Sequence, residues 1–206
     1  MSNIVLTDIQ FIDLMNEMRQ HAKRMLNDSK IEPFMPSTPE LQAYANTLGE
    51  QYESIDITEN KEIDGIINEL KDSVKSSANS TTNVSKASVT DSTQKYQKAI
   101  TADPDNADQD WIDNMNKSRQ RTKDENNRQI DTSYDKAIQL GLQFPNSRAA
   151  IQSFMEKTNA FFSSLFGRLS NFILDAARQL SEWISRAWES IKSFYDKINV
   201  WISGAL

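Results

Sequence analysis

Apolar residues in the first third of the chain recur at the spacing of an amphipathic helix. The first such stripe has steps of 3, 4, 4 and 3, over Phe11, Leu14, Met18, Ala22 and Met25. Thr7 is placed to cap this helix, and Asp8 suits the positive end of the helix dipole. A proline-containing connector over 27–39 should end it. Ser37-Thr38-Pro39-Glu40 then predicts a second helix start, and a third, short helix is expected over about 58–74.

The middle of the chain is polar. Ser or Thr fills 11 of the 21 positions from Ser73 to Thr93. Such a stretch buries too little apolar surface to offset its ordering entropy, so we predict a flexible or conditionally ordered linker over 73–107. Asp103-Pro104-Asp105-Asn106 is a turn signal, and a polar helix should follow over 108–144 until Phe144-Pro145-Asn146-Ser147 breaks it. Its centre, 116–129, has no apolar residue and therefore needs solvent or a partner surface.

The last segment, 148–206, has a heptad pattern rich in aromatic residues. Apolar or small residues step by 4 and 3 from Ile151 to Ala176, then by two further fours to Leu180 and Ile184, and then by 3 and 4 to Ala205. The extra step of four is a stutter, which locally unwinds a coiled coil. The pattern predicts one continuous helix. Its 56 residues from 151 to 206 would span about 84 Å.

Composition favours the same fold class. The chain has 206 residues with only 5 Gly and 5 Pro, too few turn residues for the many short strands of a β-sandwich. We therefore predict an all-α protein, an elongated helical bundle or coiled coil with a flexible middle. It should have four segments: acidic N-terminal helices over 1–72, the linker over 73–107, the polar helix over 108–144 and the heptad helix over 148–206.

Charge and chemistry exclude several function classes. The net charge of −6 argues against non-specific nucleic-acid binding, and the absence of Cys excludes disulfides and thiolate sites. The single His21 is expected to be an ordinary exposed histidine, with a pH-sensitive contact as the alternative. Aspartates over 103–113 fail the EF-hand calcium template at its turn glycine and at its last ligand. No phosphate loop or hydrolase motif occurs. We expect no enzyme activity, no catalytic residue, no metal or other cofactor, and no small-molecule substrate.

The aromatic stripe of the last helix has three interpretations: the core of a bundle, an interface between copies of the chain, or an interfacial membrane helix carrying Trp183, Trp188 and Trp201. Heptad spacing and a net charge of only +2 (7 bases and 5 acids) over 148–206 favour self-assembly over membrane binding. The opposite net charge of −8 (6 bases and 14 acids) over 1–72 favours packing between the two ends. The predicted interface residues are Phe11, Leu14, Met18, Phe162, Leu165, Leu169, Phe172, Leu180, Ile184, Ile191, Phe194, Ile198 and Trp201.

The layout resembles that of the extracellular filament and needle-tip proteins of bacterial type III secretion systems, the EspA and SseB kind. The likeness lies in an acidic, Cys-free chain with an N-terminal amphipathic helix, a polar middle and a C-terminal heptad helix. Two short stretches are also similar, the helix start over 7–15 and the tail Trp201-Ile202-Ser203-Gly204. The resemblance implies a subunit that polymerises outside the bacterium through coiled-coil packing of its terminal helices. It also implies a dedicated secretion chaperone as a partner.

Our functional prediction is therefore a secreted, self-assembling structural protein that acts as a homo-oligomer. The first ten residues lack the basic and apolar regions of a Sec signal, so we expect export by another route to the extracellular space or bacterial surface, with a cytoplasmic location left open. The alternative is an α-helical pore-forming toxin component whose C-terminal helix engages a host membrane, although no uncharged run is long enough to span one. An intracellular coiled-coil adaptor or a phage structural protein is a third option.

Overall fold

The computed structural model describes residues 6–27, 32–44 and 61–205, apart from the side chains of residues 181 and 182. No strand occurs among these residues, and nearly all of them are helical, so the predicted all-α class is confirmed. The helices are α1 (Asp8–Met25), α2 (described over 39–44), α3 (Lys61–Ala102), α4 (Pro104–Gln143), α5 (Arg148–Arg178) and α6 (Leu180–Gly204), with a 3₁₀ turn at Pro145–Ser147.

The first two helices begin where the sequence predicts. The Thr7 hydroxyl accepts a hydrogen bond from the Gln10 amide at 3.3 Å, and the Gln10 side chain accepts one from the Thr7 amide at 3.0 Å, which makes a complete capping box. At α2 the Thr38 hydroxyl accepts from the Leu41 amide at 3.3 Å, and Pro39 is the first helical residue. Both predicted starts are confirmed, whereas the predicted continuation of the second helix to Ile55 lies outside the described residues.

Helix α3 corrects two predictions at once. It runs unbroken for 42 residues, so the third helix is not short and the predicted linker over 73–107 is wrong for its Ser/Thr-rich part. The hydroxyls are satisfied within the helix itself: Thr81 donates to the carbonyl of Ser77 at 3.3 Å, and Thr82 donates to that of Ala78 at 2.9 Å. With its hydroxyl satisfied in this way, a small side chain can be buried at low cost.

Helix α4 agrees with what its sequence predicts. The helix lies between the predicted turn at Asp103 and the predicted break at Phe144. Its apolar-free centre meets a partner surface within the chain, the second of the two predicted alternatives, because Ser118, Thr122 and Asn126 are buried there. The Thr122 hydroxyl donates to the carbonyl of Ser118 at 2.9 Å, the same device that α3 uses.

The predicted single C-terminal rod is wrong. Gln179 has non-helical backbone angles (φ −109°, ψ 38°) and separates α5 from α6, and Arg186 is non-helical within α6 (φ −131°, ψ 15°). The Phe172 and Phe194 rings stack with 3.8 Å between their centroids, so α6 folds back antiparallel to α5. The break falls at the stutter in the heptad pattern, where the apolar stripe changes direction around the helix.

The helices divide between two compact units that cut across the four predicted segments. Unit 1 comprises residues 1–74 and 130–163, and thus contains α1, the described part of α2, the start of α3, the end of α4 and the start of α5. Its core holds fully buried apolar side chains from several helices, among them Phe11, Leu14, Met18, Leu70, Ile130, Tyr134 and Ile151.

Ion pairs join the helices of unit 1. On α1, Arg19 pairs with Asp135 at 2.6 Å and Lys23 pairs with Asp131 at 2.5 Å, which sets α1 antiparallel to the end of α4. Arg148 is buried at the start of α5 and donates to the carbonyl of Gly141 at 2.9 Å, and it also pairs with Asp8. A buried guanidinium needs such partners, so these contacts stabilise the packing of unit 1.

Unit 2 comprises residues 75–129 and 164–206 and is an up-down four-helix bundle. Ser88 on α3 donates to Ser118 on α4 at 2.8 Å, and Arg119 on α4 donates to Ser170 on α5 at 2.6 Å. Further along, the Tyr96 hydroxyl donates to Asp108 at 2.9 Å. Each neighbouring pair of helices is antiparallel, which is the arrangement expected when short connections join consecutive helices.

Candidate functional site

The structure buries most of the predicted interface residues inside the chain that carries them. Those with almost no exposed surface are Phe11, Leu14, Met18, Phe162, Leu165, Leu169, Ile191 and Ile198. Those half-buried are Phe172, Leu180, Ile184, Phe194 and Trp201. In this conformation the stripe is therefore mainly core, the first of the three interpretations, and its use between copies stays a prediction.

An aromatic cluster joins α5 to α6 in unit 2. It consists of Phe172, Trp183, Phe194 and Tyr195. Phe172 stacks on Phe194 and makes edge contacts with Trp183 at 5.1 Å and with Tyr195 at 5.6 Å between ring centroids. Offset and edge-on aromatic pairs add about 0.5–1.5 kcal/mol each beyond the area they bury. The cluster therefore holds α6 folded back against α5.

The α3 face of unit 2 that meets α6 is rich in hydroxyl groups. Thr81, Ser85 and Thr93 on α3 are fully buried, with Ala78 one turn before Thr81 and Val89 between Ser85 and Thr93. The Ser85 hydroxyl lies 2.8 Å from the Tyr195 hydroxyl of α6. Aromatic and aliphatic side chains of α6 thus pack on a helix with little apolar surface of its own, so the two sides of this contact differ in polarity.

The Ser85–Tyr195 hydrogen bond is a buried polar contact between α3 and α6. Both side chains are fully buried, and burial raises the pKa of the Tyr195 phenol well above its ordinary value of 10.0. The phenol therefore stays protonated and can donate to Ser85 or accept from it. Sequence reasoning missed both residues, although Ser85 belongs to a row of Ser and Thr spaced three or four apart along α3.

The segment that connects α5 to α6 contains a buried hydrogen-bond donor without a partner among the described residues. The Trp183 indole N–H is buried, and within the described part of the chain it has no hydrogen-bond partner. Nearby, Trp188 keeps 44 % of its surface exposed. A buried donor without a partner costs about 1–3 kcal/mol, so this packing is suboptimal at the turn.

One end of unit 2 carries the α3–α4 turn and the α5–α6 turn, and acidic and aromatic residues lie on different helices there. Trp111 of α4 donates to the carbonyl of Ala176 at 3.2 Å, which sets the start of α4 beside the end of α5. Five aspartates follow the α3–α4 turn, at positions 103, 105, 108, 110 and 113. Away from this end, the Arg168 guanidinium lies over the Trp201 ring at 4.7 Å. The turn end is therefore acidic on α4 and aromatic on α6.

His21 is buried, so the prediction of an exposed histidine is wrong. Its ring packs edge-on against Phe34, with 5.6 Å between centroids. Burial, and then the positive charge of Arg24, lowers the pKa of His21 below its ordinary value of 6.5. The imidazole is therefore neutral at pH 7 and behaves as part of the core of unit 1.

No group of three or more His, Asp or Glu side chains in the described ranges is arranged to hold a metal ion. Among the same residues, no helix combines the length and apolar character needed to cross a lipid bilayer. Comparison with protein-family models, with curated proteins and with solved structures finds no match to this chain.

Proposed function

We propose that this chain is a structural protein that assembles with copies of itself through its terminal helices, as a secreted filament or tip subunit of a bacterial secretion apparatus would. The observation that carries the proposal is the contact between α6 and the hydroxyl-rich face of α3. An apolar stripe that packs on a helix with little apolar surface gains by contacting the apolar stripe of another copy instead, because more apolar area is then removed from water.

Self-association over a concentration series tests this proposal. Light scattering and negative-stain microscopy should show growth from small species into filaments or closed oligomers as the protein concentration rises. A monomer that persists at every concentration, with no lipid or other protein present, would contradict the proposal.

A surface variant separates an effect on assembly from an effect on folding. Trp188 on α6 is 44 % exposed and flanks the stripe, and Ile112 on α4 is 40 % exposed. Trp188→Glu should weaken assembly, and Ile112→Glu should not, while both keep the helical circular dichroism of the parent. Leu169 and Ile191 are unsuitable for this purpose because they are buried, and a charge there would unfold unit 2.

A second candidate function is membrane engagement by the C-terminal helices, as in an α-helical pore-forming toxin component. Trp183, with its buried N–H, and the exposed Trp188 favour it, because indole rings suit the boundary between acyl chains and headgroups. The aspartates beside this end would repel anionic lipid. Dye should therefore leak faster from neutral phosphatidylcholine vesicles than from vesicles rich in phosphatidylserine, and no leakage from either would eliminate this candidate.

A further inference from the structure

The two breaks that reverse the chain between α5 and α6 occur at residues that favour helix. They are Gln179 and Arg186, and no Gly or Pro lies between Gly167 and Gly204. Sharp kinks in helices usually have a local cause such as Pro or Gly. Here the local sequence supplies none, so the contacts of the hairpin impose the breaks, and the segment has the propensity to be one helix.

The helical hydrogen-bond pattern also persists on both sides of the first break. The Gln179 amide donates to the Asp175 carbonyl at 3.0 Å, and the Trp183 amide donates to the Gln179 carbonyl at 2.7 Å. Both bonds join residues four apart, as in an α-helix. Straightening this region therefore requires changes in the backbone angles of few residues.

The apolar pattern continues through the breaks as well. Phe172, Ala176, Leu180, Ile184, Ala187 and Ile191 follow one another at steps of 4, 4, 4, 3 and 4. In a straight helix they would form one stripe with a single stutter. In the hairpin, Leu180 and Ile184 are only half-buried, so the connecting segment has the most to gain from a new apolar neighbour.

We propose that the α5–α6 hairpin opens at Gln179 and Arg186 into one continuous helix, and that the stripe so formed pairs with the same stripe of a second copy. This inference rests on the self-assembly proposed above and specifies its mechanism. The partner is a second copy rather than lipid, because heptad spacing fits another helix and because charges occur throughout the segment. The three bases and two acids over 178–192 give a net charge of +1, which opposes the pairing of two copies only weakly.

A distance measurement tests the opening directly, and the absence of Cys allows site-specific labelling. Ser164 and Ser203 are both exposed, and they lie at the same level of the hairpin, where Arg168 contacts Trp201. In Ser164→Cys/Ser203→Cys, two spin labels should be about 10–20 Å apart in the dilute monomer, given the spacing of packed helices. In a continuous helix, 39 residues should place the labelled positions about 58 Å apart. Assembly with a tenfold excess of unlabelled chain restricts the signal to labels within one copy.

Glycine substitutions test whether the hinge controls assembly. Gln179→Gly/Arg186→Gly disfavours the continuous helix but leaves the hairpin, which is already broken at these residues. It should raise the concentration for half-assembly by about tenfold or more. Asn171→Gly/Ser193→Gly is the matched control, because both residues are exposed and helical in either state. The control should assemble at the concentration of the parent.

The outcomes separate this inference from the proposed function. Assembly with the long distance supports both. Assembly that keeps the short distance, or that is indifferent to the hinge glycines, overturns the opening and leaves self-assembly standing. A chain that never assembles overturns both.

Discussion

Ser85 and Tyr195 form a hydrogen bond of 2.8 Å between α3 and α6, and removing one partner at a time tests how α6 is held. In Ser85→Ala the Tyr195 hydroxyl stays fully buried and loses its partner. Leaving a buried hydroxyl unpaired costs about 1–3 kcal/mol. In Tyr195→Phe the remaining Ser85 hydroxyl can turn to the carbonyl four residues earlier in α3, as Thr81 and Thr82 already do. We therefore expect a smaller loss of about 0.5–1.5 kcal/mol for this variant.

The double variant decides the interpretation. In Ser85→Ala/Tyr195→Phe no buried hydroxyl is left unpaired at this contact, so its stability should return to within about 1 kcal/mol of the parent. The loss in the double variant should therefore be smaller than the sum of the two single losses, and the difference measures the coupling of the pair.

Urea unfolding, followed by circular dichroism and tryptophan fluorescence, measures these free energies. Ser193→Ala on the exposed side of α6 is the control and should lie within about 0.5 kcal/mol of the parent. Additive losses in the double variant, or a Ser85→Ala loss no larger than that of Ser193→Ala, would refute the reasoning that this hydroxyl pair is buried and coupled.

Three further predictions concern unit 1, and the first of them is compared with Gly167 of unit 2. A methyl group on Gly141 would overlap the buried Phe11 ring, so Gly141→Ala should lower the free energy of unfolding by about 1–3 kcal/mol in a urea titration. Gly167 has open space around it, so Gly167→Ala should raise the free energy of unfolding by up to about 1 kcal/mol in the same titration. Because the pKa of His21 is lowered in the folded protein, the unfolded chain binds the proton first as the pH falls, and stability should decrease below pH 6.5. In thermal melts, the melting temperature of His21→Gln should therefore fall less between pH 7.5 and 5.5 than that of the parent. Burial raises the pKa of Tyr44 to about 12, so the phenol of the unfolded chain ionises first as the pH rises. Stability should therefore fall above pH 10, and thermal melts of Tyr44→Phe should show a smaller loss than those of the parent.

The parts of the fold that the sequence predicts are those with local signals. The capping box at Thr7, the start at Pro39 and the breaks at Asp103 and Phe144 all depend on a few neighbouring residues, and the structure places each where it is expected. The all-α class follows from apolar spacing and scarce turn residues in the same way. Such features need no knowledge of what packs against them.

The errors arise where burial depends on distant residues. The Ser/Thr-rich part of α3 has no apolar stripe, and its burial depends on Tyr195 and its neighbours, which follow more than one hundred positions later in the sequence. The rod prediction fails for the related reason that the stripe of α5 finds its partner in α6. A regular heptad pattern is satisfied equally by another chain or by folding back, and periodicity alone does not distinguish these outcomes.

The polar contacts of the two units differ in kind, and this difference predicts which helix separates first. In unit 1, Arg19 and Lys23 pair with carboxylates of α4. The hydroxyls of Thr81 and Thr82, by contrast, donate to carbonyls of α3 itself, so they keep their hydrogen bonds when α6 leaves. Opening α6 therefore breaks few bonds, and its amides should exchange with deuterium faster than those of α1. Mass spectrometry of peptides from both helices measures the order of exchange. Equal or slower exchange in α6 would contradict the prediction and would mean that the aromatic cluster holds α6 more firmly than the ion pairs hold α1.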